Sequence, residues 1–74
     1  MLNLKNKNGW SPLMISTFNG DIIAAGKLLS MGALINDTNS NGTTPLMYAK
    51  DFCLKSSDFK LCEFLIENGA NPKP

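Results

Sequence analysis

The sequence predicts an all-α chain built from two stacked helix-turn-helix repeats, and three observations carry that reading. A short phrase occurs twice, as Gly9-Trp10-Ser11-Pro12-Leu13-Met14 and, thirty-three residues on, as Gly42-Thr43-Thr44-Pro45-Leu46-Met47. A fixed period of this length marks a repeat architecture. Apolar residues follow each phrase at helical spacing, and Pro and Gly punctuate the ends of the segments so marked.

Each element has a local reason. Residues 2–9 are polar and turn-forming, with Leu2 and Leu4 as the only apolar members. A helix is expected near 12–18: Ser11 offers a side-chain oxygen to the first-turn amides, and Pro12 stands where its missing N–H costs nothing. Leu13, Ser16 and Thr17 share its packed face. Gly20 can close this helix in the left-handed conformation and Asp21 can cap the next. That second helix, near 22–31, carries Ile22, Ala25, Leu28 and Leu29 on one stripe and ends at Gly32. Gly26, inside it, costs roughly 1 kcal/mol relative to Ala. Asn8-Gly9 and Asn41-Gly42 permit positive φ in the turns that lead into each repeat.

The third helix, near 45–55, starts at Thr44-Pro45 and buries Leu46, Ala49 and Cys53, with Tyr48 in the core and its hydroxyl at the rim. The fourth, near 59–68, presents Phe59, Cys62, Leu65 and Ile66 and ends at Gly69. Pro12 to Gly32 is twenty residues, Pro45 to Gly69 twenty-four. The four extra residues amount to about one helical turn, so a longer third helix or a wider loop is expected between Ala49 and Asp58.

Composition narrows the function classes. Seventy-four residues make one small domain, and such a domain buries only about 60% of its unfolded surface. A hydrophobic fraction of 43% suits a globular chain. The net charge of +1, seven Lys against six acidic residues, gives no electrostatic case for nucleic acid or an anionic membrane. No apolar run approaches a membrane span, and the first residues lack a signal-peptide layout, so a cytoplasmic protein is expected. With no His there is no imidazole base, triad or His metal ligand. Cys53 and Cys62 have no partners to complete a zinc site and are read as free, buried thiols. The acidic residues Asp51, Asp58, Glu63 and Glu67 read as a solvated helix face. No enzyme activity, cofactor or metal is expected.

The chain resembles ankyrin repeats over nearly its whole length. In the first unit the resemblance rests on Asn8-Gly9-Trp10-Ser11-Pro12-Leu13, Asn19-Gly20-Asp21, Leu28-Leu29, Gly32-Ala33 and Ile35-Asn36. In the second it rests on Asn41-Gly42-Thr43-Thr44-Pro45-Leu46, Ala49, Phe64-Leu65-Ile66-Glu67 and Gly69-Ala70-Asn71-Pro72. Met14 and Met47 stand where the family usually has His, and Asn6 and Asn39 replace its turn Asp while keeping an acceptor. The resemblance implies a single ankyrin-repeat domain over 1–74, with repeats at about 6–36 and 39–71. Each would be a β-turn finger followed by two antiparallel helices, stacked into a solenoid.

The same resemblance implies a protein partner gripped by the concave surface of fingers and inner helices. The residues left for that surface are Lys7, Asn8, Trp10, Phe18, Asn19, Ser40, Asn41, Thr43 and Asp51, with Lys5 and Thr38 beside them. Trp10 has two readings, an aromatic anchor for a partner or a ring packed over the neighbouring finger. Trp10 and Phe18 are expected to dominate binding, and their removal to leave stability nearly unchanged. The second functional reading is self-association through exposed repeat ends, or membership of a longer array. Leu2-Asn3 matches the close of a preceding repeat, and Ile15, Ile23, Met31, Phe52, Phe59 and Phe64 are candidates for exposure.

Overall fold

A computed structural model of the chain describes residues 4–72, so Leu2 and Asn3 lie outside the described residues. The four helices are α1 (Pro12–Phe18), α2 (Ile22–Ser30), α3 (Pro45–Ser56) and α4 (Lys60–Glu67), with no strand among the described residues. α1 packs on α2 and α3 on α4, and α1 packs on α3 to join the two pairs. Three residues link the members of each pair, which makes each an antiparallel helical hairpin.

The helix ends obey the local chemistry. Ser11 Oγ accepts from the Met14 amide and Thr44 Oγ1 from the Met47 amide, each at 3.3 Å. Asp21 accepts from the Ala24 amide at 3.0 Å and so starts α2. Gly32 (φ +97°) and Gly69 (φ +98°) close α2 and α4 with the same pair of backbone bonds. The Ala33 amide reaches the Leu28 carbonyl and the Ala70 amide the Leu65 carbonyl, while each glycine amide bonds three residues back. This is a Schellman close, which needs a left-handed residue at that one position.

The extra turn of the second unit lies in the helix. α3 has 12 residues against 7 in α1, and Ser57 closes it in the left-handed region at φ 60°. Leu13, Ala25, Leu46, Ala49, Cys53 and Leu65 form the centre of the core. The hydroxyls buried beside it are satisfied within α1, Ser16 donating to the Leu13 carbonyl and Thr17 to the Met14 carbonyl.

α4 differs from the expected stripe. Cys62 and Leu65 are buried, but Phe59 and Ile66 are 49% and 48% exposed, and Leu61 is buried in their place. Phe59 precedes the helix, and Ile66 lies one residue past Leu65, about 100° round the axis. Phe64, partly buried on the same helix, reaches its ring over Gly26 of α2, where an added Cβ would meet it at 3.4 Å. Gly26 thus stands where the second hairpin leans on the first. Of the candidates for exposure, Ile15, Ile23, Met31 and Phe59 are exposed, while Phe52 and Phe64 pack against the core.

Candidate functional site

The two turns that precede α1 and α3 are built alike. The Asn6 amide bonds the Trp10 carbonyl and the Gly9 amide the Asn6 carbonyl; thirty-three residues on, Asn39 pairs with Thr43 and Gly42 with Asn39 in the same way. Inside each turn one side-chain oxygen takes two amides. Asn6 Oδ1 accepts from Asn8 and Trp10, and Asn39 Oδ1 accepts from Asn41 and Thr43, all within 3.0 Å. The fingers abut where Gly9 meets Ser40, whose Oγ lies 2.7 Å from the place of an added Cβ.

Asparagine does more than a carboxylate would at only one of these positions. Asn39 is buried and its amide nitrogen donates to the Tyr48 hydroxyl at 2.6 Å, which ties the second finger to α3. Asn6 is exposed and has no such neighbour in its turn. Asn39→Asp is therefore expected to lower stability by about 1–2 kcal/mol, since it loses a donor and buries a charge beside a hydroxyl. Asn6→Asp is expected to change it by a few tenths. Thermal unfolding of the two variants checks this directly.

Tyr48 thus fixed receives the ring of Trp10, with centroids 4.4 Å apart and planes tilted by 31°. Phe18, the last residue of α1, meets both rings edge-on, at 5.3 Å from Trp10 and 5.8 Å from Tyr48. Contacts of this kind add about 0.5–1.5 kcal/mol per pair beyond area burial. The cluster joins the first finger, the end of α1 and the first turn of α3, so it bridges the two hairpins. Trp10 and Tyr48 are half-buried and Phe18 is 53% exposed.

Trp10 therefore has packing partners, and the principal one is a ring of α3. A half-buried side chain in contact with two others contributes to stability, so Trp10→Ala should cost both folding and any binding. That departs from the expectation that its removal leaves stability untouched. Phe18 lies at the open edge of the cluster.

The remaining predicted residues divide. Lys7, Asn8, Ser40 and Asn41 are exposed on the adjoining fingers, and Thr43 is half-buried. Asn19 is exposed as the C-cap of α1, its amide held by the Ile15 carbonyl. Asp51, exposed on α3, pairs with Lys55 of its own helix at 3.1 Å. Such a surface pair contributes little. Lys5, expected to be free, is engaged: its Nζ donates to Asp37 at 3.2 Å and to the Thr38 carbonyl at 2.6 Å, linking the two units. Tyr48, which the sequence places in the core with its hydroxyl at the rim, is the member of the cluster that sequence reasoning missed. Its signal was the pairing, in one repeat, of a tyrosine with an asparagine in place of the turn acid.

Among the described residues no three His, Cys, Asp or Glu side chains gather as a metal site would require. No helix there is long and apolar enough to cross a membrane. Beyond α3 and α4 lies an apolar cavity of about 280 Å³ lined by Lys50, Cys53, Leu54, Phe59 and Cys62.

A family model described as ankyrin repeats (3 copies) matches residues 1–74. No curated protein matches the sequence. Among solved structures 159 chains match, so the likeness is to a widespread fold and singles out no partner. One of them belongs to the complex of the predatory endopeptidase Bd0816 from Bdellovibrio bacteriovorus with the immunity protein Bd3460. The match to that chain has 30% identity and a TM-score of 0.81, and covers 96% of this chain but 35% of that one. This chain thus spans about a third of its neighbour's length. Repeated fingers, paired helices with Schellman closes and a family match along the whole sequence agree: the chain belongs to the ankyrin repeat family.

Proposed function

We propose that this chain is a protein-interaction module that grips a protein partner through its fingers and inner helices, with no catalysis of its own. The observation that carries the reading is the three-ring cluster of Trp10, Phe18 and Tyr48, which bridges both hairpins and leaves Phe18 half in solvent. Exposed aromatic area on a rigid support is what interface hot spots require, because little side-chain entropy is lost on contact. The neutral polar groups of the finger tips, Asn8, Ser40 and Asn41, form its rim. Ankyrin repeats are generally protein-interaction modules, and the neighbouring solved structure holds a protein in complex with a partner. A cytoplasmic setting fits the two free thiols.

The test is affinity purification from the native cell extract with the wild-type chain, Phe18→Ala and Trp10→Ala, followed by titration of the captured protein. Phe18→Ala should weaken binding by about tenfold or more, some 1.4 kcal/mol, and lower the melting temperature by several degrees as two edge-on ring contacts are lost. Trp10→Ala should weaken it as much and also lower the melting temperature. Undiminished affinity in a folded Phe18→Ala chain places the site elsewhere.

A second reading, extension of a longer array or self-association, is favoured by the exposed apolar residues at both ends. Ile23 and Met31 of the first hairpin and Leu54 and Phe59 of the second are 49% to 71% exposed, and the last two line the end cavity. Stacked repeats normally need more than one interface and a polar terminal face. Sedimentation across concentration separates the readings, since only self-association raises the mass.

A further inference from the structure

We propose that Cys53 of α3 and Cys62 of α4 are a reversible oxidation site, a dithiol that closes to a disulfide and staples the second hairpin. The two Sγ atoms are 2.9 Å apart. A disulfide bond is about 2.05 Å long, so closure requires the sulfurs to move together by less than about 1 Å. The helices that carry them already pack on each other.

Buried cysteines usually serve as small apolar side chains. These two differ in having each other and an opening. Both line the apolar cavity of about 280 Å³ at the end of the second hairpin, together with Lys50, Leu54 and Phe59. The cavity gives a small reagent an approach, and the Lys50 ammonium there partly offsets the causes that raise the Cys62 thiol. Cys62 donates its S–H to Cys53, and its thiol is pushed up to about 12, by burial first, then by that hydrogen bond and by charge on Cys53. Both sulfurs face the same cavity wall, with Cys62 9% exposed and Cys53 0%.

The oxidant is a small-molecule disulfide such as oxidised glutathione. One of the two cysteines, as its thiolate, attacks one sulfur of the reagent, the reagent's S–S bond breaks, and the first glutathione thiolate leaves. The other cysteine then attacks the Sγ so modified, 2.9 Å away in the native fold, displacing the second glutathione thiolate. The two protons of the cysteines end on the two glutathione thiols, so two cysteines are oxidised and one reagent disulfide is reduced. The product closes a short loop from α3 to α4 and restrains the unfolded chain.

The experiment incubates the full chain with oxidised glutathione, quenches with acid, and measures intact mass and non-reduced peptide masses. The expected product is a monomer lighter by two hydrogens, with no retained glutathione and one Cys53–Cys62 peptide. Its melting temperature should rise by on the order of 10 °C and return on reduction. Cys62→Ser, once its helical circular dichroism matches the wild type, should stop at a glutathione adduct on Cys53. A native chain that stays reduced, retains an adduct, or forms covalent dimers overturns the proposal. The wild-type result decides it even where the variant fails to fold.

Discussion

Gly20→Ala is expected to lower the stability of this fold by about 2–5 kcal/mol, one of the two largest single-site effects it should show. Two costs coincide at the turn between α1 and α2. Gly20 sits at φ +73°, where an L side chain loses roughly 1–2 kcal/mol. An added Cβ would also lie 2.1 Å from Cζ of Phe52, so the ring must leave its place over the turn. Displacing a packed side chain costs about 1–3 kcal/mol more. In a domain of this size each kcal/mol lowers the melting temperature by roughly 4–8 °C, so the fall should be about 8 °C or more. Gly26→Ala is the control. There an added Cβ meets Phe64 at an ordinary 3.4 Å and the backbone is helical, so the variant should match the wild type or gain up to about 1 kcal/mol. A similar loss at both positions would point to glycine's flexibility, not to Phe52.

Leu46→Ala should cost about 2–5 kcal/mol, the usual range for emptying a packed leucine site. Leu46 is 2% exposed in the first turn of α3, the helix that packs on both α1 and α4. Its loss therefore weakens the joint between hairpins as well as one hairpin. With a single inter-hairpin interface, neither half has another neighbour to lean on. Amide exchange should show α1–α2 and α3–α4 losing protection together. Full protection surviving in α1–α2 would show that the first hairpin stands alone.

These effects trace to what the sequence does and does not reveal. Helix starts were legible because they are local: Ser11-Pro12 and Thr44-Pro45 carry the cap and the first-turn proline side by side. Helix ends at Gly32 and Gly69 were legible for the same reason. The phase of α4 was not, because Leu61 and Ile66 are both apolar and only tertiary packing decides which is buried. The four extra residues also left a choice that only packing resolves, here a longer α3 closed by left-handed Ser57. At the candidate site, Trp10 and Phe18 stood out as large aromatics at exposed register positions. Tyr48 did not, since its role depends on Asn39 holding the hydroxyl and Trp10 arriving from the other unit. Lys5 was misplaced by the same kind of long-range contact, a carboxylate and a carbonyl more than thirty residues away.

The claim that the aromatic cluster is a protein-binding surface is tested most directly by placing a photo-reactive benzophenone amino acid at position 18. A second chain carries it at position 27, where exposed Lys27 lies on α2. Both are irradiated in the native cell extract, and cross-linked products are identified by mass. The account predicts one protein joined at position 18, absent from position 27, and competed away by excess unlabelled wild-type chain. Cross-links to a specific protein at position 27 with none at position 18 would contradict it.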